Sequence, residues 1–557
     1  MENKNKKNLI LEEYESEFSY TRSKSNLNIS FNRIAFIFFV FTIISIIFSS
    51  KAIYLGSLKK NSSEDIIFNS EFRSSIIDRN DNIIAKTVFT NDVGIKPNLV
   101  IDKKKLLINL KLIFPEKSFN EFKEIENKLN GEKFFYIQKK ITHEKLQAIL
   151  LLGDKSIRTE QKISRIYPQE NLFSHIIGQI DDGNKGISGI EKSFDFELKK
   201  NNKPLQLTVD TNIQYLIREE LKKSEEIFKN LGSAAILMNI NSGEIISLIS
   251  LPDFNLNKRE KIEDLEFTNK VTKGVYELGS VFKTLTLAAA FDYNLLEPST
   301  FFEKLEKKIF CAGNQISEYD DKIPSNLTAE EILIRSSNIG SVRIAQKMGI
   351  DKYKSFLKKI GILEKAEFDI DEVGQPIRFR WGKCKLVTSS FGHGITTTPL
   401  QLAKAYSIIS NGGYDIKPTI IKSDKKYIKN KILNENVSNK INPILRKVVS
   451  TKEGTAHFAD VFGYEVGGKT GTADKAKNGV YTKDKINTFV SVFPISNPKF
   501  VLVVLLDEPK PSKDYIYHYR DGRPPYKGNW RNTAGWTTVL IAGKIIERIG
   551  PILATKY

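Results

Sequence analysis

Between Arg33 and Lys51 the chain reads IAFIFFVFTIISIIFSS, where Thr42, Ser45 and two closing serines are the only polar residues and nothing is charged. As a helix this run of about 17 residues is roughly 26 Å long, the low end for crossing a bilayer. The arm ahead of it carries Lys4, Lys6, Lys7, Arg22 and Lys24, and Arg33 abuts the apolar run. Basic flanks stay in the cytoplasm, so the N-terminus is expected inside and the remainder exported. A cleaved signal peptide is the alternative, with Ser50-Lys51-Ala52 as a passable cleavage site. The arm is long for such a signal and holds Glu12, Glu13, Glu15 and Glu17. A retained single-pass anchor is the favoured reading.

With 557 residues, of which 40% are hydrophobic, the chain is too long for one ordinary domain and rich enough in apolar side chains to build folded cores. The formal net charge of +19 is compatible with nucleic acid, anionic lipid or an acidic polymer as partner. The excess is spread over the whole chain and no nucleic-acid recognition motif accompanies it, so nucleic-acid binding is set aside. The two cysteines, Cys311 and Cys384, lack a CxxC partner or a His cluster, and no metal site is indicated. Whether they pair depends on a short Cα separation that sequence leaves open.

Beyond the anchor, Lys51 to about Lys203 is mixed and charged. Strand-like runs at Ser75–Ile77 and Asn82–Ile84 are punctuated by the turn Arg79-Asn80-Asp81-Asn82, and helical spacing recurs at Phe119–Leu129 and His143–Leu152. From about Leu205 the pattern becomes α/β. Ala234–Asn239 and Glu244–Ser250 flank Ile240-Asn241-Ser242-Gly243 as a hairpin, and a long apolar helix is predicted from Ser280. Thr488–Phe493 and Phe500–Leu506 are nearly all apolar, as strands buried on both faces are. An amphipathic helix is predicted over about Val539–Ile549.

Three short motifs follow one another in this α/β region: Ser280-Val281-Phe282-Lys283 (SxxK), Ser336-Ser337-Asn338 (SxN) and Lys469-Thr470-Gly471-Thr472 (KTGT). That set is the signature of serine β-lactamases and penicillin-binding proteins. Each is weak alone, since SxxK recurs at Ser57, Ser355, Ser423 and Ser496, and SxN at Ser30 and Ser118. Context separates them. Ser280 opens an apolar helix, whose dipole favours developing negative charge, and Lys283 lies one turn on along the same face. A serine needs a base to become a nucleophile, and a lysine on an apolar face has its pKa lowered enough to be one. Ser336 and Asn338 supply a hydroxyl and an amide suited to proton relay and to a peptide carbonyl, although Ser280 and Ser336 taken singly also read as helix caps. On the glycine-rich strand Val466–Ala473, Lys469 offers a fixed positive charge, Thr470 and Thr472 hydroxyls, and Gly471 close backbone approach, a set suited to a carboxylate. The N–H groups of Thr472 and Ser280 are candidates for an oxyanion hole, worth about 3–4 kcal/mol per donor.

With these motifs in order the chain resembles class B penicillin-binding proteins, from about Phe72 to about Leu553. Arg73-Ser-Ser-Ile-Ile-Asp78-Arg79-Asn80 is similar to the family's RGxIxDRNG, with Ser74 where glycine is usual. Arg165-Ile-Tyr167-Pro168 and Gly186-Ile-Ser-Gly189-Ile-Glu191 look like its interdomain motifs, and Leu207-Thr-Val-Asp210-Thr-Asn-Ile-Gln214 like the opening of its transpeptidase domain. Tyr276-Glu277-Leu278-Gly279, Phe391-Gly392-His393-Gly394-Ile395, Gly467-Gly468 ahead of the KTGT, and Ala534-Gly535-Trp536 look most like the septal, cell-division member of alphaproteobacterial type, with Leu278 in place of the commoner proline.

The resemblance implies a cytoplasmic arm (1–33), a transmembrane anchor (34–55), an elongated α+β pedestal (56–204) and a transpeptidase domain (205–557) with an antiparallel sheet between helical layers. It also implies a mechanism. Ser280 attacks the D-Ala–D-Ala carbonyl of a peptidoglycan stem peptide, Lys283 takes the proton, Ser336 and Asn338 assist, and Lys469, Thr470 and Thr472 hold the terminal carboxylate. β-Lactams would acylate the same serine, and no metal or organic cofactor is needed. A SEDS-type membrane polymerase, met at the anchor and pedestal, is the implied partner, because no glycosyltransferase domain fits the region before Leu205. The implied location is the bacterial inner membrane, with the catalytic domain in the periplasm. Rival readings are the elongation-specific transpeptidase, a hydrolase or β-lactam sensor, which would lack the Asp78-Arg79 pattern, and a division scaffold without catalysis.

Overall fold

The computed structural model describes residues 26–57, 72–201, 203–258, 264–423, 430–477, 479–529 and 531–557. Lys4, Lys6, Lys7, Arg22 and Lys24 of the basic arm lie outside them. The chain divides after Phe68 into two units.

The first unit is described through one helix, α1 (Asn26–Ser57). Its Arg33–Tyr54 stretch has mean hydropathy 2.2 and is long and apolar enough to cross a membrane. Phe38, Phe41 and Phe48 are each about 70% or more exposed. A helix apolar on every side, with nothing among the described residues packed on it, is suited to lipid as its solvent, and this one fits a single-pass anchor.

The second unit begins with β1 (Ile76–Ile77), the long β2 (Ile83–Ile95), β3 (Phe135–Ile141) and β4 (Ile157–Ile166). Strand β2 pairs antiparallel with β1, β3 and β4, and β1 pairs in parallel with β5 (Leu205–Gln206). Helices α2 (Lys103–Ile113), α3 (Phe119–Leu129) and α4 (His143–Leu150) accompany them. Asp102, Ser118 and Thr142 cap these helices, Ser118 in a full capping box with Glu121. Val93, Ile95, Leu110, Phe114, Phe122 and Ile137 belong to a core of their own, separate from the main one.

The three pedestal motifs that begin at Arg73, Arg165 and Gly186 meet at one buried carboxylate. Glu191 accepts from Arg73 Nε at 2.8 Å on one oxygen and from Arg165 Nε at 2.7 Å on the other, all three side chains being 1% exposed or less. Further along the first motif, Asp78 accepts from the backbone of Asn80 and Asn82 and from Thr211 Oγ1 at 2.6 Å. Burial works against its ionisation, but hydrogen bonds from Asn82 and Thr211 outweigh this and hold its carboxyl below the ordinary range. Arg79 lies 4.3 Å over the ring of Tyr557. Asp78 and Arg79 thus grip both the first helix of the α/β region, α5 (Thr211–Phe228), and the chain's last residue.

The α/β region is built on a five-stranded antiparallel sheet. It contains β6 (Gly232–Asn239), β7 (Ile245–Leu251), β10 (Gly467–Lys477), β11 (Val480–Phe493) and β12 (Phe500–Asp507), in the order β10-β11-β12-β6-β7. Every residue of β7 and β12 is buried, as expected of strands covered on both faces. Helix α5 packs on β6, β7 and the C-terminal helix α11 (Thr538–Lys556), which also meets β11 and β12. A second helical group holds α6 (Phe282–Asp292), α7 (Asn338–Met348), α9 (Pro399–Ser410) and α10 (Glu435–Ser450), with the short α8 (Lys383–Ser389) against α7. Between α6 and α7 a small hairpin, β8 (Lys308–Cys311) with β9 (Asn314–Ser317), stands out from the sheet.

Several predicted boundaries move, and β11, expected over Thr488–Phe493, already begins at Val480. Helix α6 starts at Phe282, because Ser280 sits in a 3-10 turn, Gly279–Val281, closed by the Phe282 N–H on the Gly279 carbonyl. Helix α11 runs on past Ile549 to Lys556 despite Pro551.

Candidate active site

The turn bearing Ser280 and the strand bearing the KTGT touch backbone to backbone, and two glycines permit it. Gly279 has φ +62°, and a Cβ there would stand 2.7 Å from the Thr472 carbonyl oxygen. A Cβ on Gly471 would stand 2.1 Å from the Leu278 carbonyl oxygen. Ser280 is left half-buried at this seam, while Lys283, one turn along, is 1% exposed.

Lys283 Nζ donates to the Ser336 carbonyl at 2.6 Å, to Asn338 Oδ1 at 2.7 Å and to Ser336 Oγ at 3.2 Å. Its pKa is pushed down to about 7 by burial, against which the charge of Glu318 pulls upward. Lys469, fully buried, donates to the same Ser336 Oγ at 2.9 Å and to the Thr470 carbonyl at 3.1 Å. Burial first, and the neighbouring Lys283 second, hold the Lys469 ammonium well below its ordinary pKa. Ser336 therefore sits between two lysines from distant parts of the chain, and it does so with φ +57°, a left-handed conformation uncommon outside glycine and asparagine.

The other predicted residues gather on the same two segments. Thr470 is buried and shares a 2.8 Å hydrogen bond with Thr455. Thr472 accepts from the Ala534 N–H at 3.0 Å, which brings the Ala534-Gly535-Trp536 segment onto the strand. Thr470, Gly471 and Thr472 pair in register with Phe489, Thr488 and Asn487 of β11, so the strand is held rigidly from its other edge. Glu277 accepts from the Gly394 N–H at 2.9 Å and the Tyr481 hydroxyl at 2.8 Å, joining the Phe391–Ile395 segment to the residues before Ser280. Every residue predicted from the three motifs lies at this one junction.

Sequence reasoning missed Glu318. Its carboxylate accepts from Ser337 Oγ at 2.5 Å, the Asn338 N–H at 2.7 Å and the Ile339 N–H at 3.2 Å. Nothing in the segment Gln315–Asp320 marks it out, since its partners lie about twenty residues on. Cys311 and Cys384, whose pairing sequence left open, form a disulfide with Cα atoms 5.5 Å apart.

A nucleophile candidate beside a buried lysine of lowered pKa, a second buried lysine and a strand open to a carboxylate make an arrangement fit for acyl transfer. Comparison with known proteins agrees. Residues 233–521 match the Penicillin binding protein transpeptidase domain, and residues 71–227 the Penicillin-binding Protein dimerisation domain. The chain is 28% identical to the "Probable peptidoglycan D,D-transpeptidase FtsI" of Caulobacter vibrioides, over 87% of this chain and 82% of that protein. It is 29% identical to the "Stage V sporulation protein D" of Bacillus subtilis, over 82% and 77%. It is 28% identical to the "Peptidoglycan D,D-transpeptidase FtsI" of Buchnera aphidicola subsp. Baizongia pistaciae, over 85% and 88%. With the transpeptidase match alone spanning more than half its length and a dimerisation domain ahead of it, this chain belongs to the penicillin-binding protein transpeptidases, in the class B arrangement.

Proposed function

We propose that the protein is a peptidoglycan D,D-transpeptidase that cross-links stem peptides at the division septum through an acyl-enzyme on Ser280. The observation that supports this most is the pair of buried lysines, Lys283 and Lys469, donating to one serine hydroxyl next to the Ser280 turn. The septal assignment rests on the relatives named FtsI.

In this reading Ser280 Oγ attacks the carbonyl carbon of the penultimate D-Ala while its proton passes to Lys283 Nζ. With its pKa lowered to about 7, Lys283 is neutral in a substantial fraction of molecules near neutral pH and able to accept it. The N–H groups of Ser280 and Thr472 receive the oxyanion. Collapse breaks the peptide bond, and the departing D-Ala amine takes a proton relayed through the Ser336 hydroxyl, which bridges both lysines. Asn338 orients the donor peptide, and Lys469 with Thr470, Gly471 and Thr472 binds its terminal carboxylate. A substrate carboxylate restores the cation on Lys469, which burial and the neighbouring Lys283 otherwise hold well below its ordinary pKa. An amine of a neighbouring stem then attacks the acyl carbon, forming the cross-link and freeing Ser280. β-Lactams enter by the same first step and stay.

The anchor (34–55) crosses the inner membrane, the arm (1–33) stays in the cytoplasm, and the pedestal (56–204) carries the transpeptidase domain (205–557) in the periplasm. The anchor and pedestal meet a SEDS-type glycan polymerase and other divisome proteins. The test supplies the full-length protein in membranes with a pentapeptide donor and a stem-peptide acceptor. Release of D-Ala together with a cross-linked dimer is expected, and neither with Ser280→Ala. D-Ala release with no dimer at any acceptor concentration would overturn transfer in favour of hydrolysis. A fluorescent fusion spread along the lateral wall and absent from midcell would overturn the septal role.

A further inference from the structure

The SxN turn poses a mechanical question. Ser336 is held at φ +57°, a conformation that costs on the order of 1–3 kcal/mol for a residue other than glycine and persists only where its surroundings impose it. Its two neighbours show what imposes it. The Ser337 N–H is bonded to the Ile332 carbonyl, but the Ser337 hydroxyl and the first free N–H groups of α7, those of Asn338 and Ile339, all end on Glu318. One residue earlier, the Ser317 carbonyl accepts from Asn338 Nδ2 at 2.7 Å. That bond fixes which way the Asn338 amide faces and leaves Oδ1 turned to Lys283 Nζ. The dipeptide Ser317–Glu318 thus sets the position of two of the acceptors that Lys283 uses, the Asn338 amide and the Ser336 backbone.

Neither Ser317 nor Glu318 belongs to the sheet or to the helices that carry the motifs. They end the β8–β9 hairpin, whose four-pair ladder runs from Cys311↔Asn314 to Lys308↔Ser317. Cys311 at the tip of this small ribbon is cross-linked to Cys384 in α8, the helix packed on α7. A two-stranded ribbon is marginal by itself, so a covalent tie is an effective way to hold its end. We propose that Glu318 is a positioning residue for the general base, acting through the SxN turn, and that the Cys311–Cys384 cross-link steadies the hairpin that presents it. The proposal rests on the assignment of Lys283 as base given above and adds what aims it.

Glu318 acts by charge on Lys283, which in turn acts on Lys469, and Glu318 shares with Asp320, Arg335 and Arg531 the electrostatic surroundings of Tyr319. The test follows penicillin acylation of the full-length protein from pH 5.5 to 9.5 in wild type, Glu318→Gln, Glu318→Asp and the Cys311→Ser/Cys384→Ser double variant, with thermal melts alongside. Glu318→Gln is expected to lower the plateau rate by about tenfold or more, and to move the rising midpoint to lower pH by about half a unit, because the charge that favours the Lys283 cation is gone. Glu318→Asp recovers most of the rate. The double cysteine variant loses a few-fold, and combining it with Glu318→Gln adds little further loss, because both act through one element. A Glu318→Gln protein with wild-type rate and midpoint overturns the proposal. So does a loss of rate that tracks a lower melting temperature with an unmoved midpoint and no recovery in Glu318→Asp. Additive losses overturn the role of the cross-link. Absence of acylation in wild type at every pH is a different result, and it overturns the transpeptidase reading itself.

Discussion

Lys283 and Lys469, 186 residues apart, share one acceptor: the hydroxyl of Ser336, at 3.2 Å from the first and 2.9 Å from the second. Burial lowers the pKa of both, and the neighbouring Lys283 holds that of Lys469 lower still. Neither is then a simple point charge. The pair has a proton to give up and a hydroxyl through which to move it.

The rate of β-lactam acylation is expected to rise with pH through about 7 and then level off. The sign follows from the base: below the Lys283 pKa the protonated amine cannot accept the Ser280 proton, and above it the amine is free. Stopped-flow acylation across pH 5.5 to 9.5 checks this, and a profile flat across pH 7 counts against Lys283 as base.

The same shift bears on stability. Lys283 has a folded pKa depressed from 10.5 to about 7, so between those values the unfolded chain binds the extra proton and stability rises with pH. Denaturant unfolding of wild type and Lys283→Met at pH 7 and 9.5 is the check. Wild type is expected to gain on Lys283→Met as pH rises, and an equal difference at both pH values would contradict the assignment.

Glu191→Gln leaves the two buried guanidinium groups of Arg73 and Arg165 without their shared anion. Breaking a buried pair from one side costs about 3–5 kcal/mol, and a loss in that range is expected in denaturant unfolding. The protein that remains folded should still take up penicillin, since the cluster lies among the pedestal motifs and away from the Ser280 turn.

Gly471→Ala puts a methyl group 2.1 Å from the Leu278 carbonyl oxygen and pushes the Ser280 turn off the strand. A misplacement of about 1 Å can lower a rate by roughly 10²-fold, and acylation is expected to fall on that scale with only a modest change in melting temperature. Near-normal acylation would mean that this seam is not where the reaction occurs.

Much of this site was legible in the sequence because its chemistry is carried by short local patterns. SxxK places Ser280 and Lys283 one turn apart whatever surrounds them, and the nearly all-apolar runs Thr488–Phe493 of β11 and Phe500–Leu506 of β12 declare a sheet covered on both faces. What stayed hidden depends on contacts across the chain. The positive φ of Ser336 is imposed from outside the motif, Glu318 acts on residues about twenty positions away, and the Cys311–Cys384 pairing exists only once the hairpin meets α8. The start of α6 moved for a related reason, since docking of Gly279 on Thr472 tightens the turn around Ser280 into a 3-10 form.

The most direct test of the central claim is labelling of the full-length membrane protein with a fluorescent penicillin, comparing wild type with Ser280→Ala and Lys283→Ala, and locating the adduct by peptide mass. A stable label on Ser280 in wild type, none in Ser280→Ala and little in Lys283→Ala is the result predicted. Folded wild-type protein that takes up no label, or a label that persists in Ser280→Ala, would contradict it.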